Sequence, residues 1–77
     1  MHDRIEINAH IHHGKPVIKG TRVPVTRILA EVAAGTSFEK IQEQYDVTAQ
    51  DIRAAVSFAN DLVEQQAFIA TSPGGQE

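Results

Sequence analysis

Residues 14–25 decide the fold, and they read GKPVIKGTRVPV. The apolar pair Val17 and Ile18 is long enough for one short strand. Gly20 accepts a positive φ, which allows a sharp turn directly after that strand. Pro24 restricts the residue before it to an extended conformation, and it also suits the first turn of a helix, where its missing N–H is harmless. The stretch therefore predicts a strand, a turn, an extended arm and the start of a helix.

The residues before this stretch predict a partner strand. Residues 4–8, RIEIN, alternate polar and apolar side chains, which is the period of a half-buried strand. We expect Ile5 and Ile7 to face the core. The partner of this strand is the pair Val17 and Ile18, either of the same chain or of a second copy.

The residues after the stretch predict a first helix over about residues 24–34. Gly35 is placed to end this helix in the left-handed conformation. Its apolar face is predicted to hold Val25, Ile28, Leu29 and Val32.

Two further helices are predicted beyond Gly35. The second should run to about Tyr45, capped either by Thr36, with an acid three residues later, or by Ser37. After a short turn, the tetrapeptide TAQD indicates the cap of a third helix over about residues 49–66 or a little beyond.

The third helix carries a broad apolar stripe. Its main face is predicted to hold Ile52, Ala55, Val56, Ala59 and Val63. Phe58 and Leu62 lie to one side and widen the stripe beyond what a small three-helix core needs. Phe68 and Ile69 add further apolar surface after this stripe.

Together these elements predict a mainly α protein with a short N-terminal β arm and a homeodomain-like three-helix unit. Short helices joined by a tight turn, with another helix packed across them, form the helix-turn-helix layout. We expect one domain over residues 1–70, with a β arm over 1–23 and three helices over 24–68, followed by a disordered tail over 71–77. A purely structural three-helix bundle would give the same pattern.

Composition limits the classes of function. The chain has 77 residues, 42% of them hydrophobic, and no cysteine, so disulfides and thiolate–metal sites are excluded. A domain this small buries little apolar surface, and we therefore expect a homodimer or a partner protein. No apolar run approaches the ~20 residues of a membrane span, and no apolar signal region follows the first residues, so we expect a cytoplasmic protein that does not contact membranes.

Charge is distributed unevenly along the chain. Residues 1–30 carry five Lys and Arg against two Asp and Glu, whereas residues 31–77 carry two against eight, for a net charge of −3. A basic front on an acidic body suits a polyanion such as DNA, although ordinary solubilising charge gives the same asymmetry. The predicted DNA-binding residues are Lys15, Lys19, Arg22 and Arg27 in the basic stretch and Gln50 and Arg53 at the start of the third helix.

Two residues in these regions have competing interpretations. Arg22, which directly precedes a helix start, could bind helix carbonyls or a buried carboxylate instead of DNA. Asp51 would be repelled by phosphates unless it serves as a helix cap. The third helix carries one cation in its first turns, so it would bind DNA poorly at physiological salt without the basic stretch.

Three histidines, His10, His12 and His13, raise the question of a metal site. Imidazoles bind zinc, copper and nickel, but the loop holds no acid or cysteine, and His13 cannot share the side of an extended segment that holds the other two. We predict no metal, no cofactor and no catalytic residue. Gly14 and Gly20 lack the spacing of a phosphate-binding loop, and there is no cysteine nucleophile.

Three stretches of the chain resemble the signature of the domain-of-unknown-function 433 family. They are residues 14–25, residues 34–41 (AGTSFEKI) and residues 47–56 (VTAQDIRAAV). The resemblance implies a homeodomain-like unit behind a β arm, and a role as the antitoxin of a bacterial or archaeal toxin–antitoxin pair. It also implies a partner related to PIN-type ribonucleases. The tail after Gln66 is short, which favours neutralisation through the folded surface rather than through a wrapping tail. The anchors for the partner protein that this implies are Phe58, Leu62, Phe68 and Ile69.

Three functions are compatible with these features. The leading hypothesis is a non-enzymatic antitoxin that binds a toxin and its own operator DNA as a dimer. The first alternative is a transcriptional regulator without a toxin partner. The second is a purely structural homodimeric module.

Overall fold

The computed structural model describes residues 2–70 of the chain, with side chains for residues 2–65. Its elements are β1 (Ile5–Glu6), β2 (Val17–Ile18), α1 (Val25–Ala33), α2 (Phe38–Tyr45) and α3 (Ala49–Ala70). The predicted class, mainly α with a short N-terminal β arm, is confirmed, whereas the homeodomain-like relationship stays a prediction. The predicted tail over 71–77 lies outside the described residues. No helix in the described part of the chain is long and apolar enough to cross a membrane.

Residues 14–25 fold as the predicted strand, turn, arm and helix start. Gly20 has a φ of +81°, and the N–H and the hydroxyl of Thr21 both donate to the carbonyl of Ile18, at 3.0 and 2.7 Å. The N–H of Ile18 donates to the carbonyl of Val23 at 2.9 Å. These bonds close the turn that follows β2. The strand itself lies in the interior, where Ile18 is only 1% exposed.

The strand β1 pairs antiparallel with β2 of the same chain, with Ile5 opposite Ile18. The strand predicted over residues 4–8 is shortened to two residues because β2 offers only two residues for pairing. Ile5 packs against the core as predicted. The prediction that Ile7 faces the core is wrong, since the chain has left the sheet at that point and Ile7 is 63% exposed.

The core lies between the three helices and β2. Each helix contributes one isoleucine with no exposed surface: Ile28, Ile41 and Ile52. Leu29 and Val32 pack against this cluster, which confirms the predicted apolar face of α1. Burying each isoleucine contributes about 1.5–3 kcal/mol, which is a substantial contribution in so small a domain.

The ends of α1 and α2 are set by local hydrogen bonds. Gly35 follows α1 with a φ of +84°, as predicted. The prediction that Thr36 caps α2 is wrong, because its N–H still closes α1 by donating to the carbonyl of Glu31 at 3.0 Å. The N-cap is the rival residue Ser37, whose hydroxyl accepts from the N–H of Lys40 at 3.2 Å.

A tight turn joins α2 to α3 in helix-turn-helix order. Asp46 ends α2 in the left-handed conformation, with φ 56° and ψ 47°. Thr48 and Asp51 form the predicted cap of α3, since the side chain of each accepts from the backbone N–H of the other at 3.0 Å. This reciprocal arrangement satisfies two N–H groups at the start of the helix. The helix continues to Ala70, a little beyond Gln66 as predicted.

Candidate functional site

The N-terminal segment, defined here as residues 2–4, lies along the start of α3. Arg4 donates from Nη1 to Oδ1 of Asp51 at 3.1 Å and from Nη2 to Oε1 of Gln50 at 2.7 Å. Because a guanidinium has no acceptor, it is the oxygen of the Gln50 amide that must face it. Arg4 therefore sets the orientation of Gln50.

A second contact holds the same segment further along α3. Nε2 of His2 lies 2.7 Å from Oδ2 of Asp61. The ring of His2 also meets the ring of Phe58 edge-on, with 5.2 Å between the centroids and an interplanar angle of 84°. The N-terminal segment thus follows α3 over about 15 Å, at 1.5 Å per residue between Asp51 and Asp61.

Both carboxylate oxygens of Asp51 are occupied. Oδ1 accepts from Arg4, and Oδ2 accepts from the N–H of Thr48. The Asp51 side chain is only 14% exposed. Its interpretation as a helix cap is confirmed, and Arg4 compensates the charge that would otherwise repel phosphates at the start of α3.

An open cavity of about 350 Å³ lies between the N-terminal segment and the first turns of α3. Ala54 lines it together with His2, Asp3, Arg4, Gln50, Arg53 and Ser57. The helical members share one face because they occupy positions i, i+3, i+4 and i+7 of α3. The structure thus brings the predicted DNA-binding residues Gln50 and Arg53 together with Arg4.

The other four predicted DNA-binding residues are exposed but do not line this cavity: Lys15, Lys19, Arg22 and Arg27. Within residues 2–65, none of the four forms an ion pair. Arg22 makes no side-chain hydrogen bond in that range either, so the alternative in which it binds a carboxylate or helix carbonyls is not realised there.

The predicted partner anchors on α3 differ in their exposure. Leu62 is 46% exposed and lines, with Phe58, a second cavity of about 260 Å³. Phe58 itself is half-buried against the core. Phe68 and Ile69 lie outside the described side chains.

The core takes only part of the predicted apolar face of α3. Ile52 and Ala55 are buried, whereas Val56 and Val63 are 41% and 61% exposed. The buried face turns towards Phe58 instead. Since α1 and α2 have nine and eight residues, they cover only the first part of the 22-residue α3. The rest of the apolar stripe is left at the surface.

A hydrogen-bonded pair joins α1 to α2. Oη of Tyr45 donates to Oε2 of Glu31 at 2.6 Å, and the hydroxyl of Thr36 donates to Oε1 at 2.8 Å. These bonds, the one from Tyr45 first, lower the pKa of Glu31 below its ordinary value of 4.5, although burial opposes the shift. The bond to Glu31 and then burial raise the pKa of Tyr45 above 10.0. The contact between the two helices is therefore most stable when Glu31 is ionised and Tyr45 is neutral.

The three histidines of the loop are exposed. His12 and His13 both take the left-handed conformation, with φ values of 50° and 56°, and Gly14 follows at 83°. In the described part of the chain, no group of three or more His, Cys, Asp or Glu side chains could hold a metal ion.

Sequence reasoning did not select His2, Arg4 or Asp61. Their contacts join residues 47 and 59 positions apart, which no local pattern reveals. The nearest signal is the TAQD cap, because a capping carboxylate is held close to the helix start, where a neighbouring cation can reach it.

The fold and site together describe a small domain of three helices and a short two-stranded β hairpin, with a cavity at the start of its last helix. A protein-family model with the description "Protein of unknown function (DUF433)" matches residues 5–59. That match covers more than half of the chain, and the protein belongs to this family. The resemblance is thereby confirmed, while the antitoxin role stays a prediction.

A curated relative adds a second comparison. The chain is 47% identical over 47 residues to "Uncharacterized protein y4eO" of Sinorhizobium fredii (strain NBRC 101917 / NGR234). The aligned part is 60% of this chain and 21% of that protein, so the chain spans about a fifth of the relative's length. No solved structure matches the chain.

Proposed function

We propose that this protein is a non-enzymatic, antitoxin-like module of the cytoplasm that binds its own operator DNA and a protein toxin. In this proposal it acts as a homodimer, and its toxin is a ribonuclease of the PIN type. The toxin part rests on the family resemblance and on the exposed apolar stripe of α3. The DNA part rests on the polar face at the start of the same helix.

The observation that carries the DNA-binding part is the arrangement of side chains on the first turns of α3. Gln50 and Arg53 line the open cavity, while the acid between them, Asp51, is paired with Arg4 and directed to the helix cap. A DNA-reading helix presents donors to base edges and cations to phosphates from its first turns. Gln50 offers amide N–H donors and Arg53 offers a cation, so both kinds of group are present here.

Affinity would come from the exposed cations. Lys15, Lys19 and Arg22 have no ion-pair partner within residues 2–65. Arg27 forms no ion pair there either, but it lies close enough to Glu31 to help lower the pKa of that carboxyl. Each phosphate contact contributes a slope of about −0.9 to the dependence of log binding constant on log salt. Because Arg53 is the one cation on the first turns of α3, we expect the basic stretch and a second copy to contribute as well.

Fluorescence anisotropy tests this part, using a labelled duplex from the region upstream of the protein's own reading frame. We expect binding at about 50 mM salt that weakens steeply towards about 200 mM. The double variant Lys19→Ala/Arg22→Ala should bind more weakly and with a shallower salt slope. Lys40→Ala, which removes an exposed cation from α2, is the matched control and should bind like the wild type. No binding at low salt with micromolar protein would contradict the proposal.

The toxin-binding part is supported by exposed apolar residues on α3. Val56, Leu62 and Val63 are 41%, 46% and 61% exposed, and such stripes are what partner grooves bury. Co-purification with the product of the adjacent reading frame tests this part. We expect Leu62→Asp to abolish association and Asn60→Asp, which adds the same charge at an exposed polar position, to retain it. If the product of the adjacent reading frame is not a nuclease, or does not associate with this protein, the toxin-binding part of the proposal is wrong.

The same two experiments separate the alternatives. A regulator without a toxin binds the duplex but not the neighbouring product. A structural homodimer binds neither and is a dimer in solution.

A further inference from the structure

We propose that the cavity between the N-terminal segment and α3 is a binding site for one phosphate group, held between the guanidinium groups of Arg4 and Arg53. The phosphate belongs either to a DNA backbone, in which case the inference rests on the proposed function and deepens it, or to a free phosphomonoester. Both sources present the same tetrahedral oxyanion, so the site is argued from that chemistry.

The ionisable groups of the cavity favour an anion. Arg4 and Arg53 reach it from separate elements, and Asp3 is the one acid in its lining. The neighbouring acid Asp51 does not oppose an anion, because Arg4 and the N–H of Thr48 occupy its two oxygens. The charge of Arg4 is balanced by Asp51, so the attraction for an anion comes from Arg53 and from the N–H donors that Arg4 keeps free.

Donors remain free on both arginines. Arg4 uses two N–H groups on Gln50 and Asp51, and a guanidinium holds more donors than these. The same two bonds fix its plane, so less conformational entropy is lost when it binds a ligand. Arg53 is exposed and makes no side-chain hydrogen bond or ion pair with any residue from 2 to 65. Guanidinium groups bind phosphate with paired, charge-assisted hydrogen bonds.

The shape of the cavity also fits this ligand. Ala54 and Ser57 are small residues on the same face of α3 as Arg53, and they leave a hollow between the longer side chains. Ser57 adds a hydroxyl donor. The volume of about 350 Å³ lies at the lower end of the ~300–1,000 Å³ range of ligand pockets, which is sufficient for a phosphate with an attached sugar.

Backbone amide NMR of the full chain tests the site. The probes are inorganic phosphate, adenosine 5′-monophosphate and a short DNA duplex, and sodium chloride at matched ionic strength controls for screening. We expect phosphate and the monophosphate to shift the amides of Gln50, Arg53 and Ala54, and chloride to leave them unchanged. Arg53→Gln, at an exposed position without a partner, should weaken binding about tenfold. Lys40→Gln removes a cation from α2 and should bind like the wild type.

The outcomes distinguish this inference from the proposed function. Shifts with the monophosphate but no binding of DNA would support the site as one for a free phosphomonoester and contradict the proposed function. The protein could instead bind DNA without shifting these amides, and bind it equally well as Arg53→Gln. That result would overturn the inference and leave the proposed function standing. Shifts that chloride reproduces, or no shifts with any probe, would overturn the site.

Discussion

The guanidinium of Arg4 and the carboxylate of Asp51 form an ion pair at 3.1 Å across 47 positions of the chain. The same carboxylate accepts the N–H of Thr48 at 3.0 Å. One side chain therefore fastens the N-terminal segment to α3 and also caps that helix. The N-terminal segment and the start of α3 are thus joined directly through one carboxylate.

Removing this carboxylate should destabilise the fold more than removing its partner. We expect Asp51→Ala to lower the free energy of unfolding by about 1–2 kcal/mol, since it loses the cap and the ion pair. Arg4→Ala should cost about 0.2–1 kcal/mol, because the pair is partly exposed. Urea denaturation measures both values. Glu43→Ala, which removes an exposed acid from α2, should stay within about 0.5 kcal/mol of the wild type. Equal losses in Asp51→Ala and Glu43→Ala would refute the dual role.

The Glu31–Tyr45 pair should make the free energy of unfolding depend on pH at both the acidic and the alkaline end of the pH range. The pKa of Glu31 is lowered in the folded state, so its contribution is present above 4.5 and is lost as the pH falls through the lowered pKa. The pKa of Tyr45 is raised, so its contribution is present below 10.0 and is lost as the pH rises through the raised pKa. In Tyr45→Phe both dependences should shrink, as measured by unfolding free energies against pH. A variant whose curve parallels the wild type at both ends would show that the pair does not act this way.

The left-handed backbone at His13 should be relieved by glycine. His13 has a φ of 56°, which costs a residue with a Cβ roughly 1–2 kcal/mol. We expect His13→Gly to raise the free energy of unfolding by about 0.5–1 kcal/mol, after allowing for the greater freedom of glycine in the unfolded chain. His10→Gly is the matched control in the same loop, without a positive φ, and should instead be destabilising. A lower urea midpoint for His13→Gly would contradict this prediction.

Features decided by neighbouring residues were predictable from sequence. The turn at Gly20, the end of α1 at Gly35 and the cap formed by Thr48 and Asp51 each depend on contacts within a few residues. Their residue types carry the conformation, because glycine accepts a positive φ and Thr and Asp side chains accept backbone N–H groups.

Features decided by distant packing were not predictable. The exposure of Ile7 depends on how many residues β2 offers for pairing, and that of Val63 on how far α1 and α2 extend along α3. At the candidate site, Gln50 and Arg53 were selected because they begin a helix after a tight turn. Arg4 was not, because nothing near it in sequence indicates that it lies against that helix.

The proposed reading surface is the first turn of α3, and its discrimination between two DNA sequences tests it most directly. Anisotropy would compare a duplex from the upstream region with a duplex of shuffled sequence. We expect the wild type to prefer its own sequence. Gln50→Ala should lose about 0.5–1.5 kcal/mol of that preference while its binding to the shuffled duplex is unchanged, because the Gln50 oxygen accepts from Arg4 and only its amide N–H groups are free to reach a base. Gln65→Ala, the same change at an exposed position further along α3, should keep the preference. Equal affinity of the wild type for both duplexes, or a full preference in Gln50→Ala, would contradict the assignment of this helix to DNA reading.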